Sequence, residues 1–145
     1  MSAPAKAREI LHIHIDGASR GNPGEAGFGV SVAAADGAPL CGLYGYLGRA
    51  TNNVAEYQAL IHALRYALAR GARRVRIFSD SELVVRQVQG TYRVKHPDMV
   101  TLHGEAKALM ARFEEARLSH VPRAKNREAD RLANQALDEK ASRLE

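Results

Sequence analysis

From Glu9 to Asp16 apolar and polar positions alternate, with Leu11, Ile13 and Ile15 on one face and Ile10, His12, His14 and Asp16 on the other. This period of two predicts a strand with Asp16 projecting from its C-terminal end. The next stretch, GASRGNPGEAG, is so rich in Gly, Asn and Pro that it predicts a loop, followed by a strand from Phe28 to Ala34. Asp36-Gly37 marks a hairpin turn and Leu40 to Leu47 a third strand, which together make an antiparallel meander. From Asn53 to Arg70 the period lengthens, as Tyr57, Leu60, Ile61, Leu64 and Leu68 recur every three or four residues, and Gly71 follows as the expected C-cap of an amphipathic helix. RVRIFS (Arg74 to Ser79) then predicts a strand parallel to the first, reached through the helical crossover. A short helix is expected from Ser81 to Gln89, a loop from Gly90 to Pro97 and a longer helix from Asp98 to Glu115. The pattern closes with a strand from Leu118 to Val121 and a helix from Arg127 to Lys140 whose inner face carries Leu132, Ala133, Ala136 and Leu137. The fold class is therefore α/β, a five-stranded mixed sheet of a three-stranded meander plus two parallel strands, flanked by helices.

Composition narrows this picture. A chain of 145 residues, 46% hydrophobic, fits one domain over 1–145 with a core of about 9–140. No run reaches the roughly 18 apolar residues of a membrane helix, and Met1 to Glu9 lacks the apolar centre of a secretory signal, so a cytoplasmic location without membrane contact is expected. The single cysteine, Cys41, has no partner for a disulfide and no neighbours at zinc spacing, and reads as a small packed residue. A net charge of +5 favours a polyanionic partner. Basic residues crowd three runs: Arg70, Arg73, Arg74 and Arg76; Arg86, Arg93, Lys95 and His96; and Arg117, Arg123, Lys125, Arg127 and Arg131.

Four acids stand at junctions of the expected elements, and each has an ordinary reading when taken alone. Asp16-Gly17 is a turn dipeptide, Asn53 to Glu56 has capping-box spacing, Asp80 lies among good N-cap residues, and Asp130 has basic neighbours for surface pairing. Topology changes the balance. If the first and fourth strands are parallel neighbours, Asp16 and Asp80 meet at one carboxyl edge, where α/β folds place their sites, and Glu56 and Asp130 reach the same edge from packed helices. Two unit charges about 5 Å apart repel by roughly 3 kcal/mol at an effective dielectric near 20, so such a cluster calls for a cation. An all-carboxylate site favours Mg²⁺ or Mn²⁺ over zinc, and two such ions about 4 Å apart suit in-line displacement at phosphorus. The chemistry implied is phosphodiester hydrolysis.

The stretches IDGASRGNPGEAGFG (15–29), TNNVAEYQAL (51–60), SDSELV (79–84) and NREADRLANQA (126–136) carry a resemblance to the ribonuclease H type 1 family over about residues 9–140. The resemblance implies a ribonuclease H-like fold, with Asp16, Glu56, Asp80 and Asp130 as metal-binding catalytic carboxylates and two Mg²⁺ or Mn²⁺ ions with substrate bound. It implies endonucleolytic cleavage of the RNA strand of an RNA–DNA hybrid, leaving 3′-hydroxyl and 5′-phosphate ends. It also implies Gly17 and Glu56 near ribose 2′-hydroxyls, with Asn22, Thr51, Asn52 and Asn53 lining the nucleic-acid groove. N-capping competes for the last three of these residues.

The sequence departs from the family at three places. Many members carry a histidine before the last helix, whereas VPRAKNREAD has none; Arg123 stands in as a substrate-contacting residue, and His120 reads as structural. The aromatic, lysine-rich handle of some members is replaced by QGTYRVKHPD, in which Tyr92, Arg93 and Lys95 form a reduced grip or an ordinary loop. Glu82 stands where a glutamine that contacts RNA is often found. The pattern is nearest the compact subgroup of archaea and some bacteria, with a monomer and no obligate protein partner expected. Two other functions fit parts of the pattern: a resolvase- or integrase-like nuclease of the same superfamily, and a non-catalytic hybrid-binding module.

Overall fold

The computed structural model describes residues 10–145, so Met1 to Glu9, including the first residue of the expected first strand, lie outside the described residues. Along the chain run β1 (Ile10–Gly21), β2 (Gly24–Ala34), β3 (Pro39–Ala50), α1 (Asn52–Ala69), β4 (Arg74–Ser79), α2 (Glu82–Gln89), α3 (Pro97–Met110), β5 (Glu115–His120), a 3-10 turn (Arg123–Lys125) and α4 (Arg127–Glu139). The strands form one mixed sheet in the order β3-β2-β1-β4-β5. The meander pairs antiparallel; β1–β4 pairs parallel, β4 being reached through the α1 crossover, and β4–β5 pairs parallel across the connection that holds α2 and α3.

Alternation in the strands decides which face is covered by what. Leu11, Ile13 and Ile15 of β1 share a face with Val30 and Val32 of β2 and Val75 and Ile77 of β4, and this face buries Tyr57, Leu60, Ile61 and Leu64 of α1. Each such side chain, taken fully out of water, contributes about 1.5–3 kcal/mol before the cost of ordering it. On the opposite face α4 lies over the meander, with Leu132 and Ala136 against Tyr44. No helix among the described residues is long and apolar enough to cross a membrane.

Three expectations need correction. GASRGNPGEAG is not a loop: β1 continues to Gly21, the chain turns at Asn22-Pro23, and pairing with β2 runs without a break from Leu11–Ala34 to Gly21–Gly24. Turn-forming residues signalled a loop, but the ladder is made by backbone groups that every residue carries. Asp16 is consequently inside a long strand instead of at its end. The third helix stops at Met110 and Ala111 caps it, so Glu115 opens β5 three residues before the expected start at Leu118. Phe113 lies at helical spacing from Leu109 and Met110, yet it enters the core from the turn after the helix. At the end of α1, Arg70 takes the cap and Gly71 follows it with φ 77°.

Candidate functional site

The site begins where the sheet changes width. The β1–β4 pairing ends at Ile15–Ser79, so Asp16 is the first residue of β1 past its parallel neighbour and Asp80 the first residue past β4. Two glycines then let two helices approach. A Cβ on Gly17 would collide with the backbone of Ala55 and Glu56, so α1 rests directly on β1. Gly29, the cross-strand partner of Asp16, makes the same allowance for α4, since a Cβ there would strike the Ala129 carbonyl oxygen beside Asp130. Both helix-borne acids are thus brought to Asp16 by missing methyl groups.

The capping roles open to two of the acids are taken by other residues. Thr51 caps α1, its hydroxyl accepting from Val54 N at 3.2 Å, while Glu56 Oε1 accepts from Gly17 N at 2.6 Å. Ser81 caps α2, accepting from Val84 N at 3.3 Å, which leaves the Asp80 carboxylate to the site. Asp16, Glu56 and Asp80 each offer a carboxylate oxygen within 4.8 Å of the others, with Asp16 and Glu56 buried. Asp130 lines the same cleft, of about 520 Å³, but is not in that tight group of three. Its carbonyl and carboxylate accept from Asn134 Nδ2 at 3.0 and 3.5 Å, and Arg131 pairs with Glu128, so Asp130 is not the partner of an adjacent arginine.

Burial raises the pKa of Asp16 well above the usual carboxylate range, and the nearby charges of Glu56 and Asp80 add to the effect. Burial likewise lifts Glu56 to about 8, with Asp80 adding to the rise and the Gly17 N–H opposing it. Both acids therefore bind protons more tightly than ordinary carboxylates do in the metal-free protein, and a bound cation competes with those protons. Three convergent carboxylates with no nitrogen or sulfur donor among them fit a hard divalent cation.

The expected substrate residues divide into three groups. Gly17, Asn52 and Arg123 line the acid cleft. Thr51 lines an adjoining groove of about 600 Å³ with Pro23, Arg49 and Thr101, and Asn22 Oδ1 accepts from Asn52 N at 3.1 Å, tying the hairpin turn to α1. Asn53 lies in the first turn of α1 and lines neither space. Tyr92 is exposed in the loop before α3, and Glu82 is exposed and paired with Arg86 at 3.4 Å. His120 ends β5, and among the described residues no histidine lines the acid cleft. The first basic run is largely occupied, as Arg73 and Arg74 meet Glu114 and Arg76 meets Glu115. Sequence reasoning missed Arg20 and Asn134, which also line the cleft; their spacings, four residues beyond Asp16 and Asp130, were the available signal.

Comparison with known proteins places this architecture. The family described as reverse transcriptase-like matches residues 14–136. The chain is 49% identical over 127 residues to the bifunctional protein Rv2228c of Mycobacterium tuberculosis, a match covering 87% of this chain and 35% of that protein, so the chain spans about a third of that relative. The RNase H1 structure from Halobacterium salinarum superposes with a TM-score of 0.87 at 42% identity, covering 90% of this chain and 98% of the other. LC11-RNase H1, solved in complex with RNA/DNA hybrid, gives a TM-score of 0.85 at 39% identity, with coverage of 90% and 98%. With the strand order, the edge-on acids and these likenesses together, the chain belongs to the ribonuclease H type 1 family.

Proposed function

We propose that this chain hydrolyses the RNA strand of RNA–DNA hybrids at internal phosphodiester bonds, leaving 3′-hydroxyl and 5′-phosphate ends, with Asp16, Glu56, Asp80 and Asp130 as its metal-holding catalytic residues. The observation that carries this reading is the convergence of three carboxylates from β1, α1 and the end of β4 to within 4.8 Å of one another at the floor of an open cleft. The relative solved with RNA/DNA hybrid supports the substrate class. We take the ions to be Mg²⁺ or Mn²⁺, two of them once substrate is bound. When bound, they neutralise phosphate charge and lower the pKa of a coordinated water.

The chain's own residues do the remaining work. The Gly17 N–H holds one oxygen of Glu56, which fixes the carboxylate and leaves the other oxygen available. Thr51 accepts the capping hydrogen bond yet keeps its O–H proton, so capping and donation to a sugar or phosphate oxygen are compatible. Asn22 uses its carbonyl oxygen on Asn52 N and keeps its amide protons for the groove. Arg123 supplies positive charge in the cleft and meets phosphate, and a guanidinium does not accept a proton at neutral pH. Contacts of this kind read backbone and 2′-hydroxyls, so little base preference is expected. We take the chain to act as a monomeric catalytic domain in the cytoplasm.

The direct test is internally labelled RNA presented as a hybrid, alone, and in double-stranded RNA, with DNA alone and a four-way junction beside it, across a Mg²⁺ and Mn²⁺ series. Cleavage of the hybrid, abolished by Asp16→Asn and by EDTA, is the expected result. Preferential junction cleavage, or tight hybrid binding without cleavage at any metal concentration, overturns the proposal.

A further inference from the structure

From the N-cap of α4 along the helix, Asn126, Asp130, Asn134 and Asp138 follow one another at intervals of four and form one stripe. Each is tied, directly or through its neighbour, to β1. At one end Asn126 is fully buried, and its Nδ2 donates to Ile15 O at 2.8 Å, the carbonyl just before Asp16. At the other end Arg20, four residues past Asp16, donates through Nη2 to Asp138 Oδ1 at 2.6 Å and to Asn134 Oδ1 at 3.3 Å. The Asn134 amide is thereby engaged at both ends, because its Nδ2 donates to Asp130. Asp16 and Asp130 are the middle rung of a ladder whose outer rungs are Ile15–Asn126 and Arg20–Asn134/Asp138.

This arrangement matters because Asp130 is the acid left outside the tight group of three. Asp16 and Asp80 are placed where the β1–β4 pairing ends, and Glu56 by a helix in backbone contact with β1. Asp130, whose carboxyl meets that of Asp16, is carried by α4; the backbone contact at Gly29 and the buried apolar face seat that helix on the sheet, and the outer rungs fix it along β1. We propose that Arg20 and Asn126 are positioning residues, the two ends of a clamp that holds Asp130 against the three-acid cluster and so sets how tightly the site takes a divalent cation. The inference rests on the reading of these acids as a metal site.

Charge alone makes the opposite prediction for one end of the clamp. Removing the Arg20 guanidinium takes a positive charge from the cleft and should tighten cation binding, whereas loss of positioning weakens it. Asp138→Ala removes a negative charge and weakens binding on either account. Arg20→Met is therefore the variant that decides.

The test is Mn²⁺ titration without substrate, followed by the electron paramagnetic resonance signal of free Mn²⁺, on wild type, Arg20→Met, Asp138→Ala, their double variant and Asn126→Ala. Arg131→Met serves as control, since it breaks an exposed pair on α4 outside the stripe. Arg20→Met and Asp138→Ala are expected to weaken Mn²⁺ binding, each up to about fivefold given the strength of an exposed pair. The double variant should be no worse than either single one, because both remove the same rung. On hybrid, kcat should fall at limiting metal and recover at excess metal with KM unchanged, while melting in EDTA stays at the wild-type temperature for both Arg20→Met and Asp138→Ala. Unchanged or tighter Mn²⁺ binding by Arg20→Met overturns the clamp, as does an effect confined to KM, which would make Arg20 a substrate contact. The activity reading fails separately: wild type that binds Mn²⁺ yet cuts no hybrid sinks that reading, and the same titrations still decide the clamp.

Discussion

The two sides of the cleft are built by different means. On one side Asp16 and Asp80 are placed where the β1–β4 pairing stops and Glu56 by a helix in backbone contact, with little room to adjust. On the other side Asp130 rides on a helix that also rests on backbone, at Gly29, but whose position along β1 is set in addition by side-chain hydrogen bonds, one buried and the others part-buried or exposed. Geometry fixed by backbone tolerates no partial loss. Geometry fixed by side chains can be weakened by degrees, so the two sides should respond differently to comparable damage.

Replacing one acid on each side makes the largest break. Asp16→Asn is expected to lower kcat on hybrid by about a thousandfold, because it replaces one of the three convergent carboxylates with a neutral amide. Asp130→Asn should lose about ten- to a hundredfold and recover in part at high Mn²⁺. Equal losses in the two variants, measured at saturating metal, would show that the two sides act as one. At pH 8 in EDTA, Asp16→Asn should melt at or above the wild-type temperature, since an amide never has to carry the charge that burial and the neighbouring acids oppose.

The glycines sharpen the same comparison at the level of packing. Gly17→Ala and Gly29→Ala should each cost about 1–3 kcal/mol in urea unfolding, since each forces a helix off a strand. They should part company in Mn²⁺ affinity: Gly17→Ala moves Glu56 and abolishes tight binding, whereas Gly29→Ala moves only Asp130 and weakens it.

pH offers a smaller lever on the tight side alone. Asp16 and Glu56 titrate higher in the folded than in the unfolded chain, where carboxylates sit near pH 4. Folding then binds protons that the unfolded chain has released. Their contribution is fully present below about pH 4 and is lost as pH rises toward the folded value, about 8 for Glu56. Metal-free protein should therefore lose several kcal/mol of stability between pH 5 and 8, and Asp16→Asn should flatten the curve. Excess Mg²⁺ should reverse the loss at pH 8. A metal-free melting temperature that rises over this range would contradict the assigned shifts.

The smallest effect is expected at Arg123, on the Asp130 side. Arg123→Ala should raise KM about fivefold and steepen no pH profile, because the residue meets phosphate without moving a proton. A new dependence of kcat on pH in this variant would give Arg123 a different role.

Much of this was legible before the structure. The periods of β1, α1 and β4 identified those elements, and the parallel return through α1 was enough to bring Asp16 and Asp80 to one edge. The long hairpin was not legible, because Gly, Asn and Pro report on turns while the pairing of Ala18 with Gly27 and of Arg20 with Glu25 is carried by the backbone. The end of α3 was misjudged because Phe113 keeps helical spacing after the helix has stopped. In the site, the acids could be named one by one, but not the unequal way in which they are held. Arg20 and Asp138 are 118 residues apart in sequence, and no local pattern joins them.

The loss of the β4 ladder beyond Ile15 also has a mechanical side. Up to that residue β1 belongs to a plate five strands wide; past it, β1 continues with only the meander strands beside it, as a flap ending at Asn22-Pro23. A narrow flap bends more readily than a wide plate, and its deflection grows with distance from the root. Asp16 is at the root and Arg20 is farther out, and beyond the root the flap is tied down by Arg20 to Asp138 of α4 and by Asn22 to Asn52 of α1.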